Sequence, residues 1–218
     1  MAKMVLDLQQ ACLDEKVSCY YLLLRAYAIA EKLSIKDMAE FCSNEMTGYK
    51  SDDTTQLPLY RQIIIYTEAF DVNLQRWVPI SLSSENPINK RNVIEPITEI
   101  EKLSLSKTET LEIRPTAEVQ QIIFETTNMP KAMDIHHIVS IAQLASIPQI
   151  VRKLVLDWAL KLEKEGILGD NLKFSSEEQS KVKDIPSIQI IINGNVSNSN
   201  LAGVLNDSIS SIQTQRKE

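Results

Sequence analysis

The residues with the widest chemical reach in this sequence are two adjacent imidazoles, His136 and His137, and three thiols, Cys12, Cys19 and Cys42. A pair of imidazoles can ligate a metal or pass protons near neutral pH. Ligation by both needs the rings on one side of an element. They lie in MDIHHIVSI, where Ile135, His137, Val139 and Ile141 alternate with His136, Ile138 and Ser140. That alternation predicts a strand, in which neighbours face opposite sides. One ring is expected inward and one outward, with no metal between them. The thiols show no CxxC spacing and fall within helical apolar patterns, so they read as small buried hydrophobes of a reducing compartment. Glycine-rich phosphate loops, GxSxG and HExxH are missing from the sequence. No catalytic residue, metal or cofactor is assigned.

Charge pairing is the second chemistry on offer. A helix expected to close at Gly48 carries Glu45 in its last turn, and the chain returns within LPLYR to Arg61. The two are expected to meet. Once buried, such a pair adds little to the stability of the fold, yet removing one partner costs roughly 3–5 kcal/mol because the remaining charge is stranded.

Helices must open the chain, since apolar residues from Val5 to Thr47 recur at spacings of three and four. The expected inward stripe is Val17, Tyr20, Tyr21, Leu24 and Ala28, followed by Ile35, Met38, Phe41 and Cys42 after a break at Ser34, which is read as an N-cap. From Leu57 to Leu82 β-branched and aromatic residues dominate, with Asp71, Val72 and Asn73 at a turn, which predicts a hairpin. A polar loop is expected from Ser83 to Lys90, then a short helix in IEPITEIEKLSL with Pro96 in its first turn, a strand in LEIRP and a helix in TAEVQQIIFETT. Pro148 is expected to open the longest helix, striped by Val151, Leu154, Val155, Trp158 and Leu162 and stopped at Gly166. SSEEQSKVKD predicts a short capped helix.

In the tail, Ile188, Ile190 and Ile192 alternate with Gln189, Ile191 and Asn193, and Asn193-Gly194 suits a turn before Val196. This is the pattern of a β element unable to bury its own face. Ile188, Ile190, Ile192, Gly194 and Val196 are therefore expected to drive self-association. The expected fold class is α+β: N-terminal helices, a small mixed or antiparallel sheet, a long C-terminal helix and a β-type tail. Residues 1–184 form the expected domain and 185–218 the tail.

Composition narrows the partners. The 218 residues are 44% hydrophobic and 24% charged, with a net charge of −6, the profile of an ordered globular chain. No basic run exceeds a pair before Arg216-Lys217, so nucleic acid is not an expected partner. No apolar run reaches the roughly 18–20 residues of a membrane span, and the first residues carry acids and glutamines where a signal peptide needs an apolar core. A cytoplasmic protein is expected.

Two motifs stand above this background. One joins Glu45, Met46, Gly48 and Tyr49 to Leu57, Pro58, Tyr60 and Arg61. The other runs through Val151, Arg152, Leu156, Asp157, Trp158, Ala159, Leu160, Leu162, Glu163, Gly166, Ile167, Gly169, Phe174, Ser175, Glu177 and Glu178. With the ending from Gly194 to Asn200, they resemble, in order, the AbiTii family, named after one component of a bacterial abortive-infection system. Phe41 departs from the tryptophan more common there, and an aromatic core role survives the change.

The resemblance implies a role in bacterial defence against phage and carries no catalytic residues. The matched positions also have a plain physical reading: Gly48, Gly166 and Gly169 satisfy backbone conformations and Trp158 fills core. The expected function is a non-enzymatic component acting through protein association, as a homo-oligomer or with a partner from the defence system. A toxin-like effector with an unrecognised active site is the alternative, as is a nucleic-acid-binding sensor or repressor, which the charge weakens.

Overall fold

Helices α1 (Met4–Leu13), α2 (Cys19–Leu33) and α3 (Lys36–Thr47) open the chain in a computed structural model that describes residues 3–50, 57–82, 86–130, 133–185, 187, 188 and 192. Ser18 starts α2 by accepting the Tyr21 N–H. The buried face of α2 is Cys19, Leu22, Leu23, Ala26, Ile29, Ala30 and Leu33. This corrects the expected stripe: Tyr21 and Leu24 are exposed. The helix is apolar nearly all round, and the face with Cys19, Ala26 and Ala30 lets neighbouring helices approach closely while the tyrosine hydroxyls keep their water.

Ser34 is also reassigned. It closes α2 in the left-handed region at φ 58°, and Ile35 is the N-cap of α3. In so short a link the N–H groups of Ser34 and Ile35 bond back to Glu31 and Ala30, which fixes the C-cap geometry.

The sheet is antiparallel. Strands β1 (Gln62–Asp71), β2 (Arg76–Pro79), β3 (Lys90–Asn92), β4 (Thr110–Ile113) and β5 (Ile135–Ser140) take the order β2-β1-β5-β4, with β3 also on β1. The hairpin turn forms as expected, Asp71 accepting the N–H groups of Asn73 and Leu74. The polar loop is partly structured, because Asn86 caps a single turn at Pro87–Asn89 that leads into β3. One face of the sheet, through Ile63, Ile65 and Val139, joins the helical core; α5 (Ala117–Thr127) packs Ile123 and Phe124 on Ala69 and Ile135 at its other end.

Pro96 stands at the N-cap of α4 (Ile97–Ser104). The longest helix, α6 (Ile141–Lys164), begins directly after β5, so Pro148 lies inside it and does not open it. Ile141, Leu144, Ile147 and Val151 are buried at helical spacing, and that burial outweighs the roughly 3 kcal/mol an interior proline costs. α7 (Ser176–Ser180) follows with a complete capping box.

Three of the described residues past 184 belong to the core. Ile185, Ile188 and Ile192 pack into the main cluster, and the Ile188 N–H donates to Asp37 of α3 at 2.9 Å. Ile188 and Ile192 have helical backbone. At these two positions the expected strand is corrected: residues four apart share one helical face, which a strand would also have allowed. Ile190, Gly194 and Val196 lie outside the described residues.

Candidate functional site

Glu45 and Arg61 meet in the interior. Arg61 Nη2 is 2.6 Å from Glu45 Oε2, and Arg61 Nε donates to Oε1 at 3.0 Å, both side chains being shut off from solvent. The hydroxyls of Tyr49 and Tyr60 donate to the same Oε1 at 2.8 and 2.7 Å. Arg61 Nη1 donates to the carbonyls of Val93 and Glu95, and its guanidinium lies 4.9 Å over the Tyr49 ring. Desolvation works against the Arg61 charge, yet the Glu45 charge and hydrogen bonds, with Tyr60 and Tyr49, together outweigh it and hold the guanidinium above its ordinary value. Burial, then the Glu45 charge, pushes both phenols up. The guanidinium stays charged and the phenols stay neutral, and the hydrogen bonds of the cluster tie α3, the strand entry and the start of α4 together.

Local sequence builds that lock. Pro58 precedes the single turn Leu59–Arg61 and accepts the Arg61 N–H, aiming the guanidinium inward. Gly48, at φ 88°, closes α3, and a Cβ there would stand 2.8 Å from the Ile94 carbonyl. Glycine is needed for conformation and for space.

The second motif holds the helices. Arg152 donates to the carbonyls of Cys12 and Asp14 at 3.2 and 3.1 Å, and also to Val17, binding the α1–α2 elbow to α6. Asp157 pairs with Lys153 at 2.7 Å and Glu163 accepts from Gln9 at 3.0 Å. Trp158 is fully buried, its indole N–H finding no acceptor among the described residues. Gly166 follows the end of α6. A Cβ on Gly169 would stand 2.8 Å from the Phe174 ring. Glu178 accepts the N–H groups of Leu168, Gly169 and Ser175. Burial pulls its carboxyl up, but these bonds together outweigh that and bring it down to about 2.

The histidines need a correction. They do face opposite sides, but both are buried, because β5 is an interior strand covered on both faces. His137 Nδ1 lies 3.0 Å from the Thr67 hydroxyl, and burial, then Arg91 and His136, lowers its pKa. On the other face His136 places Nε2 3.3 Å from Glu68 and Nδ1 3.4 Å from Glu112. The Trp77 indole stacks on the ring at 3.8 Å and 16°, with Phe70 edge-on to Trp77 at 5.5 Å.

Sequence reasoning missed this second cluster. Trp77 is on β2 and His136 on β5, with β1 between, so the contact exists only once three strands are assembled. The alternation of Tyr66, Glu68 and Phe70 was its one sequence signal. Among the described residues no group of three or more Cys, His, Asp or Glu could hold a metal, and no helix is long and apolar enough to cross a membrane.

An α+β scaffold held by buried capping and ion-pair motifs is the frame that these residues define. The AbiTii family model matches residues 3–187, and the chain belongs to that family, one of abortive-infection antiphage defence. A search of the curated proteins and of the solved structures finds no match.

Proposed function

We propose that this protein acts in the cytoplasm as a non-enzymatic defence component that works by protein–protein association, with a second copy or with a partner from the same defence system. One observation carries the reading: large apolar side chains stand in water around the α1–α2 elbow. Leu13 is 68% and Leu105 83% exposed, and Tyr21 and Leu172 are exposed beside them. Leu13, Val17 and Leu172 line a cleft of about 780 Å³, and Tyr20, Tyr21 and Leu105 line another of about 960 Å³. Asp14 borders the first and its neighbour Glu15 the second, so the two adjoin. Large exposed apolar side chains grouped around adjoining clefts are what an interface covers. The family motifs lend support, since Glu45, Arg61, Arg152 and Glu178 serve packing and capping.

The test is Leu13→Asp combined with Leu105→Asp in the full chain, read by light scattering and by phage plating on cells carrying the complete defence locus. Lower particle mass or loss of the partner, with weaker protection and an unchanged melting temperature, is expected. Unchanged mass and undiminished protection overturn the proposal.

A further inference from the structure

Trp77 reaches from β2 across β1 to lie on His136, yet 39% of it remains exposed. Beside the stack stands Glu112 of β4, whose side chain is 68% exposed and whose Oε2 lies 3.4 Å from His136 Nδ1. An aromatic surface and a carboxylate, from the two outer strands β2 and β4, thus flank His136 on one face of the sheet. We infer that this shelf receives an arginine side chain of a protein partner, the guanidinium resting on Trp77 and forked onto Glu112.

Charge and shape select that occupant. A guanidinium is flat, keeps its charge when stacked on an aromatic ring and offers paired N–H groups to a carboxylate. Lysine supplies a point charge without the fork. A nucleotide base could stack on the indole, but its phosphate would approach Glu112 on a chain of net charge −6, which repels it. Arg114, just past the end of β4, pairs with Asp134 at 3.3 Å. Buried Trp–Arg contacts of this type are common anchors of protein interfaces.

The inference rests on the association reading and adds a contact to it on a different face from the elbow. The two tryptophans are Trp77 and Trp158, and Trp158 is fully buried, so emission changes on adding a ligand report Trp77. The full chain is titrated at low salt with a blocked oligoarginine peptide, the matching oligolysine peptide and ADP. Calorimetry repeats each titration so that variants without the fluorophore can be read.

Saturable binding of oligoarginine is expected, about fivefold or more tighter than oligolysine, weakened about tenfold by Glu112→Gln and lost in Trp77→Leu. Glu40→Gln, at an exposed position of α3, should leave it unchanged, and unchanged melting curves certify each variant as folded. The inference is overturned by no saturable response, by equal affinity for both peptides with no effect of Glu112→Gln, or by tighter binding of ADP. The elbow variants test association separately: if they disrupt it while oligoarginine fails to bind, only the present inference falls.

Discussion

Two contacts of a glutamate with a nitrogen-bearing side chain sit in different surroundings. Glu45 and Arg61 are closed off in the helical core, with both carboxylate oxygens and four guanidinium N–H bonds engaged. Glu68 and His136 lie on the sheet face beneath a partly exposed indole, next to the solvated Glu112. Burial makes the first contact an all-or-nothing lock, since neither member can be removed without stranding the other. Glu68 and His136 are buried as well, but Glu112 beside them is solvated, so water can take over part of the second contact and none of the first.

The largest expected effect breaks the lock. Glu45→Ala should cost about 3–5 kcal/mol, because Arg61 and two tyrosine hydroxyls lose their acceptor together. Replacing Glu45 and Arg61 jointly by Gln and Met should recover part of that loss. Urea unfolding measures both; a single variant within about 1 kcal/mol of wild type would show that the lock is not what holds α3 to the strand entry.

The closed region extends to Ile188 and Ile192, each buried in the main cluster. Ile188→Ala and Ile192→Ala should each cost about 2–4 kcal/mol as cavity substitutions. Thermal melts with no change for either would contradict their place in the core.

Weaker effects are expected on the sheet face. His136→Gln should cost roughly 1–2 kcal/mol, since Glu112 can rehydrate while the buried Glu68 keeps an amide donor in place of the ring. A loss as large as that of Glu45→Ala would erase the distinction between the two regions.

What could be read from the sequence follows the same division. Glu45 and Arg61 are near in sequence and flanked by Gly48 and Pro58, so local chain geometry forecasts their meeting. The hairpin, β5 and the capping box at Ser175 were also local. Tertiary choices were not. α2 is apolar on most sides, and only the neighbouring helices decide that Ala26 and Ala30 go inside while Tyr21 stays out. Pro148 signals a helix start, but the stripe from Ile141 to Val151 extends the helix back past it. Trp77 and His136 have no sequence relation, because their contact spans an intervening strand. Ile188 and Ile192 fit a helix face as well as a strand, and alternation alone favoured the strand.

pH gives the smallest effects, in two windows set by His137 and by Glu178. His137 is buried against Thr67, and that burial, then Arg91 and His136, hold its pKa below the ordinary 6.5. The folded state therefore binds fewer protons than the unfolded chain as pH falls below 6.5, and stability declines from there toward the depressed value. Glu178 has the opposite charge type: its carboxyl is held at about 2 against an ordinary 4.5, so its contribution is present above 4.5 and is lost as pH falls toward 2. Urea unfolding from pH 7.5 to 3 should show two regions of slope. His137→Asn should flatten the first and leave the second, and Glu178→Gln should flatten the second and leave the first. If His137→Asn preserves the slope just below 6.5, the ring is not held neutral by its burial in the sheet, and the assignment of that face to the closed core fails.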